Sequence, residues 1–228
     1  MTAVAIFVKT PGYSPIKTRL ASDLGQEPAE DWHRRAALAV AELAERAAIG
    51  PVYFAVAEPE ALGHPLWSAL PNIPQGPGGL GARMGRIHGQ LIERHGSALL
   101  LGADTIQWQI EQLRQAGDWQ SAPSKRWTIG PASDGGFWTF GSNHALPQRS
   151  WTSVTYSRAD TRAQFERGLA DSGDGLILPT LTDLDALHDL PSVLTELREN
   201  RCSRGPALES AIGCLERLES LHLDSSSA

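Results

Sequence analysis

The six residues Ala-Val-Ala-Ile-Phe-Val at positions 3–8 constrain the fold of this chain more than any other segment. An unbroken apolar run rich in β-branched residues suits a strand covered on both faces. Such strands belong to parallel sheets with helices above and below. Lys9, Pro11, Gly12 and Pro15 follow at once and open a long loop over residues 9–26. No basic segment precedes the run, and Lys9 and Pro11 come too early for a signal peptide, so it is expected to be the first strand. The remaining apolar runs, such as 98–101, fall far short of the roughly 20 residues that span a bilayer, so no membrane partner is expected.

Helix and strand signals then alternate. Pro28 opens a helix whose apolar positions Trp32, Leu38, Leu43, Ala47 and Ile49 follow a helical stripe, and Gly50-Pro51 closes it. Residues 52–57 form a second strand, and the proline- and glycine-rich stretch 59–81 is expected to be irregular. Met84, Ile87, Leu91 and Ile92 mark a helix ended by Gly96, with Met84 and Ile87 in the core and His88 and His95 on its surface. Residues 98–102 make a third strand. A short helix carries Ile106, Ile110 and Leu113, and strands at 126–130 and 136–140 follow so closely that the sheet is expected to be partly mixed. Ser157 caps a helix running to about residue 170, residues 176–178 form a last strand, and helices at 193–199 and 208–221 finish the chain.

A length of 228 residues suits one domain, taken as residues 1–223 with C-terminal helices from about 191 and a disordered tail at 224–228. Hydrophobic residues at 41% and charged ones at 20% predict a packed core. With 20 Lys and Arg against 26 Asp and Glu, the net charge of −6 supplies no general field for nucleic acid or anionic membranes. Cys202 and Cys214 are too few to staple a fold of this size and are expected as free thiols in a reducing cytoplasm. The C-terminal helix, with Leu208, Ile212, Leu215, Leu218 and Leu221, is expected to cover its own core.

In a mostly parallel sheet the ligand site lies beyond the carboxyl ends of the strands. Three loops there carry suggestive chemistry. Lys9, Thr10, Gly12, Lys17 and Arg19 set three cations and flexible backbone after the first strand, the means by which proteins hold phosphate, though a solvated surface loop fits as well. A Walker A loop is excluded because Ile16 stands where glycine must precede the Lys-Thr pair. Asp104 ends a buried strand, where a hard oxygen ligand suits Mg²⁺ or Mn²⁺ or caps the next helix. Ser133-Asp134-Gly135-Gly136 lets a ligand approach the backbone, or makes an Asp-Gly turn between strands. Pro131 replaces the glycine of a nucleophile elbow, so Ser133 is a poor hydrolase nucleophile. The G-x-G-x-x-G match at 76–81 lacks a leading strand and reads as a glycine loop near the mouth of the site. Trp138 and Trp151 flank the site in sequence, and one of them could stack on a sugar or base. Asp183 and Asp185 offer further carboxylates after the last strand, or cap the next helix.

Taken in order, the segments Phe7-Val-Lys-Thr-Pro-Gly12, Lys17-Thr-Arg-Leu-Ala21, Gly79-Leu-Gly-Ala-Arg-Met84, Leu101-Gly-Ala-Asp104, Gly130-Pro-Ala-Ser-Asp-Gly-Gly136, Trp151-Thr-Ser-Val154 and Asp183-Leu-Asp185 resemble a bacterial family of small GT-A-type transferases, known as a domain of unknown function and as selenodomain-associated transferase 1. The resemblance implies a Rossmann-like nucleotide-diphospho-sugar transferase fold, an α/β three-layer sandwich with a mostly parallel, partly mixed sheet. It implies that Lys17 to Arg19 face nucleotide phosphates, that Asp104 holds the divalent metal, and that Asp134, Gly135 and Gly136 line the acceptor or sugar pocket with Trp151. Two acidic residues usual in the family are Gly79 and Ala82 here, Asp104 is followed by Thr-Ile rather than Ser/Cys-Pro, and Phe137-Trp138 replace a Tyr pair. The expectation is a cytoplasmic transferase, with Asp134 as catalytic base, that moves a glycosyl group from a nucleotide-sugar to a small acceptor with Mg²⁺ or Mn²⁺. The alternatives are nucleotidyl transfer from a nucleoside triphosphate to a small phosphorylated acceptor, or a catalytically weak nucleotide- or partner-binding module. Oligomeric state is left open.

Overall fold

The computed structural model describes residues 1–199 and 204–226, with side chains through residue 220; Cys202, the side chain of Leu221 and residues 227–228 lie outside the described residues. Its frame is a sheet of seven strands: β1 (Ala3–Val8), β2 (Val52–Val56), β3 (Asn72–Pro74), β4 (Ala98–Leu101), β5 (Arg126–Pro131), β6 (Phe137–Ser142) and β7 (Asp174–Ile177). The spatial order is β3-β2-β1-β4-β6-β5-β7. Only β6 runs against its neighbours, pairing antiparallel with both β4 and β5, while the remaining pairs are parallel. Here is the α/β sandwich with a mostly parallel, partly mixed sheet that the strand spacing predicts.

The pleat of β1 divides the core. Val4, Ile6 and Val8 face a layer built from α2 (Gln26–Ala47), α4 (Ile110–Gln120), α7 (Leu190–Glu199) and α8 (Pro206–Ser226). Ala3 and Ala5 face the opposite layer, with α3 (Leu80–His95), α5 (Gln148–Thr152) and α6 (Thr161–Arg167). Helix α2 lies between the sheet and α8, and its buried Ala36, Ala37, Ala39, Ala41 and Ala44 keep both approaches close. The apolar side of α8, Leu208, Ala211, Leu215 and Leu218, is buried there, so this helix covers its own core.

Several elements depart from the sequence pattern. Part of the expected loop 9–26 is helical, as α1 (Thr18–Leu24), which Gly25 ends with φ 92. Ile106 and Trp108 are buried in chain without regular structure, and α4 starts only at Ile110, where Gln109 and Gln112 form a reciprocal cap. Within 59–81 two short 3-10 turns precede β3, whose Pro74 is tolerated because β3 is an edge strand. Asp160 rather than Ser157 precedes α6, and α8 continues through Ser226 into the expected tail. No helix among the described residues is long and apolar enough to cross a membrane.

His88 is not a surface residue. It is 1% exposed, packed against Trp151 with ring centroids 5.2 Å apart, and its Nε2 lies 3.0 Å from Ser142 Oγ. Helical spacing alone gives no sign that this polar position points at β6. Burial pushes the His88 pKa down to about 3, with His144 adding to the shift, so the ring is neutral in the fold. Unfolding exposes a histidine that binds a proton below about pH 6.5. The stability it contributes is therefore whole above that pH and declines as pH falls toward 3, by up to roughly 1.4 kcal/mol per pH unit. Urea denaturation across this window should show a shallower pH slope for His88→Gln than for wild type; equal slopes would show that the folded state accepts the proton.

Candidate functional site

At the carboxyl ends of β1 and β4 the chain turns to opposite sides of β1, where an open α/β sheet forms a crevice. A cleft of about 880 Å³ lies there, lined among others by Lys9, Lys17, Arg19, Asp104, Asp134 and Asp185. His33, Gln75, Arg83, Ser157 and Arg158 also line it. A second depression of about 800 Å³ lies at the opposite edge, but its buried polar side chains Thr2, Ser97 and Gln120 already bond one another.

The centre of the cleft is an ion cluster. Lys17 precedes α1 with φ 44 and ψ 49, a left-handed conformation uncommon for a residue with a long side chain. Its side chain is 7% exposed, and its ammonium pairs with the Asp104 carboxylate and donates to Asp185 Oδ1 at 2.6 Å. Burial works against the lysine charge, but Asp104 and Asp185, by charge and hydrogen bond, hold its pKa above the usual lysine range. Burial also disfavours the Asp104 anion, yet the Lys17 charge and hydrogen bond keep its pKa below the usual carboxylate range.

Asp183 completes the group. Its carboxylate accepts a hydrogen bond from Thr105 Oγ1. Burial, reinforced by repulsion from Asp104, pushes its carboxyl up to about 8. The Lys17 ammonium thus answers two carboxylates directly, while Asp183 lies beside them without an ion pair of its own. Asp185 does not cap the following turn; Asp189 does, accepting from the N–H groups of Asp185 and Ala186 at 3.0 and 2.8 Å. Nor does Asp104 cap a helix, since α4 begins six residues later.

The first loop is held from behind. Thr10 is fully buried, its N–H donating to Glu58 at 3.0 Å and its hydroxyl accepting from Trp67 Nε1 at 2.9 Å. Its side chain therefore anchors the loop and does not line the cleft, and Gly12, with φ 81, makes the turn beyond it. His33 Nε2 meets the Lys9 carbonyl at 3.0 Å, and burial pulls the ring's pKa below its usual value. Lys9 and Arg19 are exposed, and neither makes an ion pair among the described residues.

On the far wall, Asp134 sits in the turn between β5 and β6, with Oδ1 accepting from the Gly136 N–H at 2.8 Å. Gly135, at φ 88, passes so close to Ala159 that a Cβ would stand 2.0 Å from its carbonyl oxygen. These two glycines shape the wall without lining the cleft. Trp151 is corrected outright as a sugar platform. It is completely buried beside Phe140 and Phe165, with Gly81 and Gly85 of α3 packed against it, because α5 docks through this indole. Trp138 is 2% exposed and stacks on Trp108.

Sequence reasoning missed His33, Gln75 and Arg158 because each sits in a segment without a motif. Only the fold brings α2, β3 and the 153–160 loop to one place. No three His, Cys, Asp or Glu side chains among the described residues form a ready metal cage. The donor set nevertheless fits a hard cation, since two carboxylates from separate segments converge on a position that an ammonium fills. Mg²⁺ commonly takes only one or two protein carboxylates and completes its shell with water and phosphate oxygens.

Among solved structures, a protein from Desulfovibrio desulfuricans G20 provisionally assigned as a nucleotide-diphospho-sugar transferase superposes with a TM-score of 0.79 at 21% identity, covering 95% of this chain and 97% of that one. More distant likeness, at 8% identity each, reaches CMP:2-keto-3-deoxy-manno-octonic acid synthetase complexed with CTP (TM-score 0.50, 87% and 99% of the chains). It also reaches a protein from Bacillus anthracis provisionally assigned as a glucose-1-phosphate thymidylyltransferase, in complex with sucrose (TM-score 0.52, 92% and 99%). These likenesses identify the GT-A-like fold of nucleotide-diphospho-sugar transferases. No curated protein matches the sequence. The model of DUF2064, uncharacterized proteins conserved in bacteria, matches residues 38–158, more than half of the chain, and the chain belongs to that family.

Proposed function

We propose that this chain is a nucleotide-dependent transferase that moves a glycosyl group from a nucleotide-sugar to a small hydroxyl acceptor, with Mg²⁺ or Mn²⁺ at Asp104. One observation carries the reading: exposed cations Lys9 and Arg19 flank the Asp104–Asp185 carboxylates in a single cleft at the switch point of the sheet. That combination of hard oxygen donors and unspent positive charge suits a phosphorylated donor. The GT-A-like fold agrees, as do the nucleotide-handling names among its distant structural likenesses.

Asp104 and Asp185 would hold the cation, which supplies positive charge beside the donor diphosphate. Lys9 and Arg19 orient the phosphates and meet the charge that grows on them as the bond to the sugar breaks. Asp134 has one oxygen steadied by the Gly136 N–H, so its carboxylate is positioned to accept the proton of the acceptor hydroxyl as that oxygen bonds to the sugar carbon. The aspartic acid then returns the proton to solvent.

The test is a thermal-shift panel of nucleoside di- and triphosphates and nucleotide-sugars, with and without Mn²⁺. A ligand at 100 times its dissociation constant stabilises the fold by about 2.7 kcal/mol. A metal-dependent shift selective for one nucleotide-sugar is expected. Selectivity for a triphosphate would replace glycosyl by nucleotidyl transfer, and no shift with any nucleotide would overturn the reading in favour of a partner-binding module.

Two variants sharpen it. Asp104→Asn should remove the metal dependence of nucleotide binding, which isothermal titration with and without Mn²⁺ would measure. The double variant Lys9→Ala with Arg19→Ala should weaken nucleotide binding roughly ten- to a hundredfold, in keeping with lost charge-assisted hydrogen bonds. Its melting temperature should stay close to that of wild type, because both side chains are exposed and the hydrogen bond lost, from Lys9 to the Pro15 carbonyl at 3.1 Å, lies at the surface. Unchanged affinity would return the loop to an ordinary solvated surface.

A further inference from the structure

Lys17 is spent on carboxylates, although the obvious use of a lysine in this loop is to meet phosphate. Its side chain is buried, its backbone is held left-handed, and its ammonium occupies the point on which Asp104 and Asp185 converge. We infer that Lys17 is a displaceable counter-cation: a divalent metal reaches the Asp104–Asp185 position only when the ammonium leaves it, and the released ammonium then serves the donor phosphates. The inference rests on the reading above, that the cleft takes a metal and a phosphorylated donor.

The argument is electrostatic. An ammonium and a divalent ion cannot share one carboxylate pair at contact distance without strong repulsion. The ammonium is tethered by its own chain, so its effective concentration at the carboxylates is high and a metal alone competes poorly. Two changes favour the exchange. A doubly charged ion better matches the two carboxylates of Asp104 and Asp185, which now share a single positive charge. A phosphate also gives the expelled ammonium a new partner. Metal and phosphate should therefore bind together much better than either binds alone, and Lys17 sets the size of that difference.

The experiment is Mn²⁺ binding without nucleotide, followed by electron paramagnetic resonance. Lys17→Met should bind Mn²⁺ at least tenfold more tightly than wild type, while Lys17→Arg, which keeps the charge, should not. Equal Mn²⁺ affinity in wild type and Lys17→Met would overturn the inference. Should Lys17→Met not fold, the wild-type protein carries the test through acetylation by acetic anhydride, read by mass spectrometry with exposed Lys125 as internal standard. Modification of Lys17 should rise severalfold in excess Mn²⁺, and unchanged protection would overturn the exchange. Failure of the transferase reading is separately visible: a Lys17→Met protein that gains Mn²⁺ affinity while no nucleotide binds leaves the exchange standing and removes the donor. Nucleotide binding with unchanged Mn²⁺ affinity removes the exchange and leaves the transferase.

Discussion

The two-sided burial of β1 governs what surrounds it. Valine and isoleucine on one face meet a thick helical layer, alanine on the other admits α3 at close range, and hydrogen-bonded neighbours lie along both edges. A strand so enclosed has no freedom to shift, because a slip of one residue would exchange its two faces. The loop that leaves it at Lys9 consequently starts from a fixed point. Thr10, Glu58, Trp67 and His33 extend that fixity one turn outward, through buried hydrogen bonds that would be costly to leave unmade.

The cleft inherits its electrostatics from this frame. Asp104 follows β4, the neighbour of β1, and Asp183 and Asp185 arrive from the chain after β7 at the far edge of the sheet. Two carboxylates meet there in a protein whose charge is already negative overall, and among the described residues Lys17 alone forms an ion pair with them, while Asp183 close by is hydrogen-bonded by Thr105. A buried ion pair of this kind is weak evidence for stability, since desolvation consumes much of its Coulombic gain. Its presence at a strand terminus, with the lysine backbone in an uncommon conformation, is better understood as a property of the site than of the fold.

The architecture was legible because periodicity survives burial. The runs at 3–8, 52–57 and 98–102 and the reversed strand near 136–140 lie close to where their patterns place them, while several helix ends are shifted. Asp104, Asp134, Lys9, Lys17 and Arg19 share one cleft as their strand-end positions suggested. What stayed hidden was the direction of individual side chains. Trp151 flanks the candidate site in sequence but is turned into the core by α5. His88 lies on a helical stripe that gives no warning of Ser142 across the layer, and Lys17 meets carboxylates of two separate segments, one of them 168 positions away. Sequence spacing records local faces and says little about contacts made across the sheet.

The two walls of the cleft differ in how freely they can change over evolutionary time. Gly12, in the cationic loop, has nothing within 4 Å of where a side chain would begin, whereas Gly135, on the opposite wall, is wedged against Ala159 between antiparallel β5 and β6. An insertion near Gly12 would lengthen an exposed excursion, while one near Gly135 would shift the pairing of two central strands. Descendants of this chain can thus revise the cationic loop through changes in its length. The carboxylate of Asp134 is bequeathed with the sheet itself.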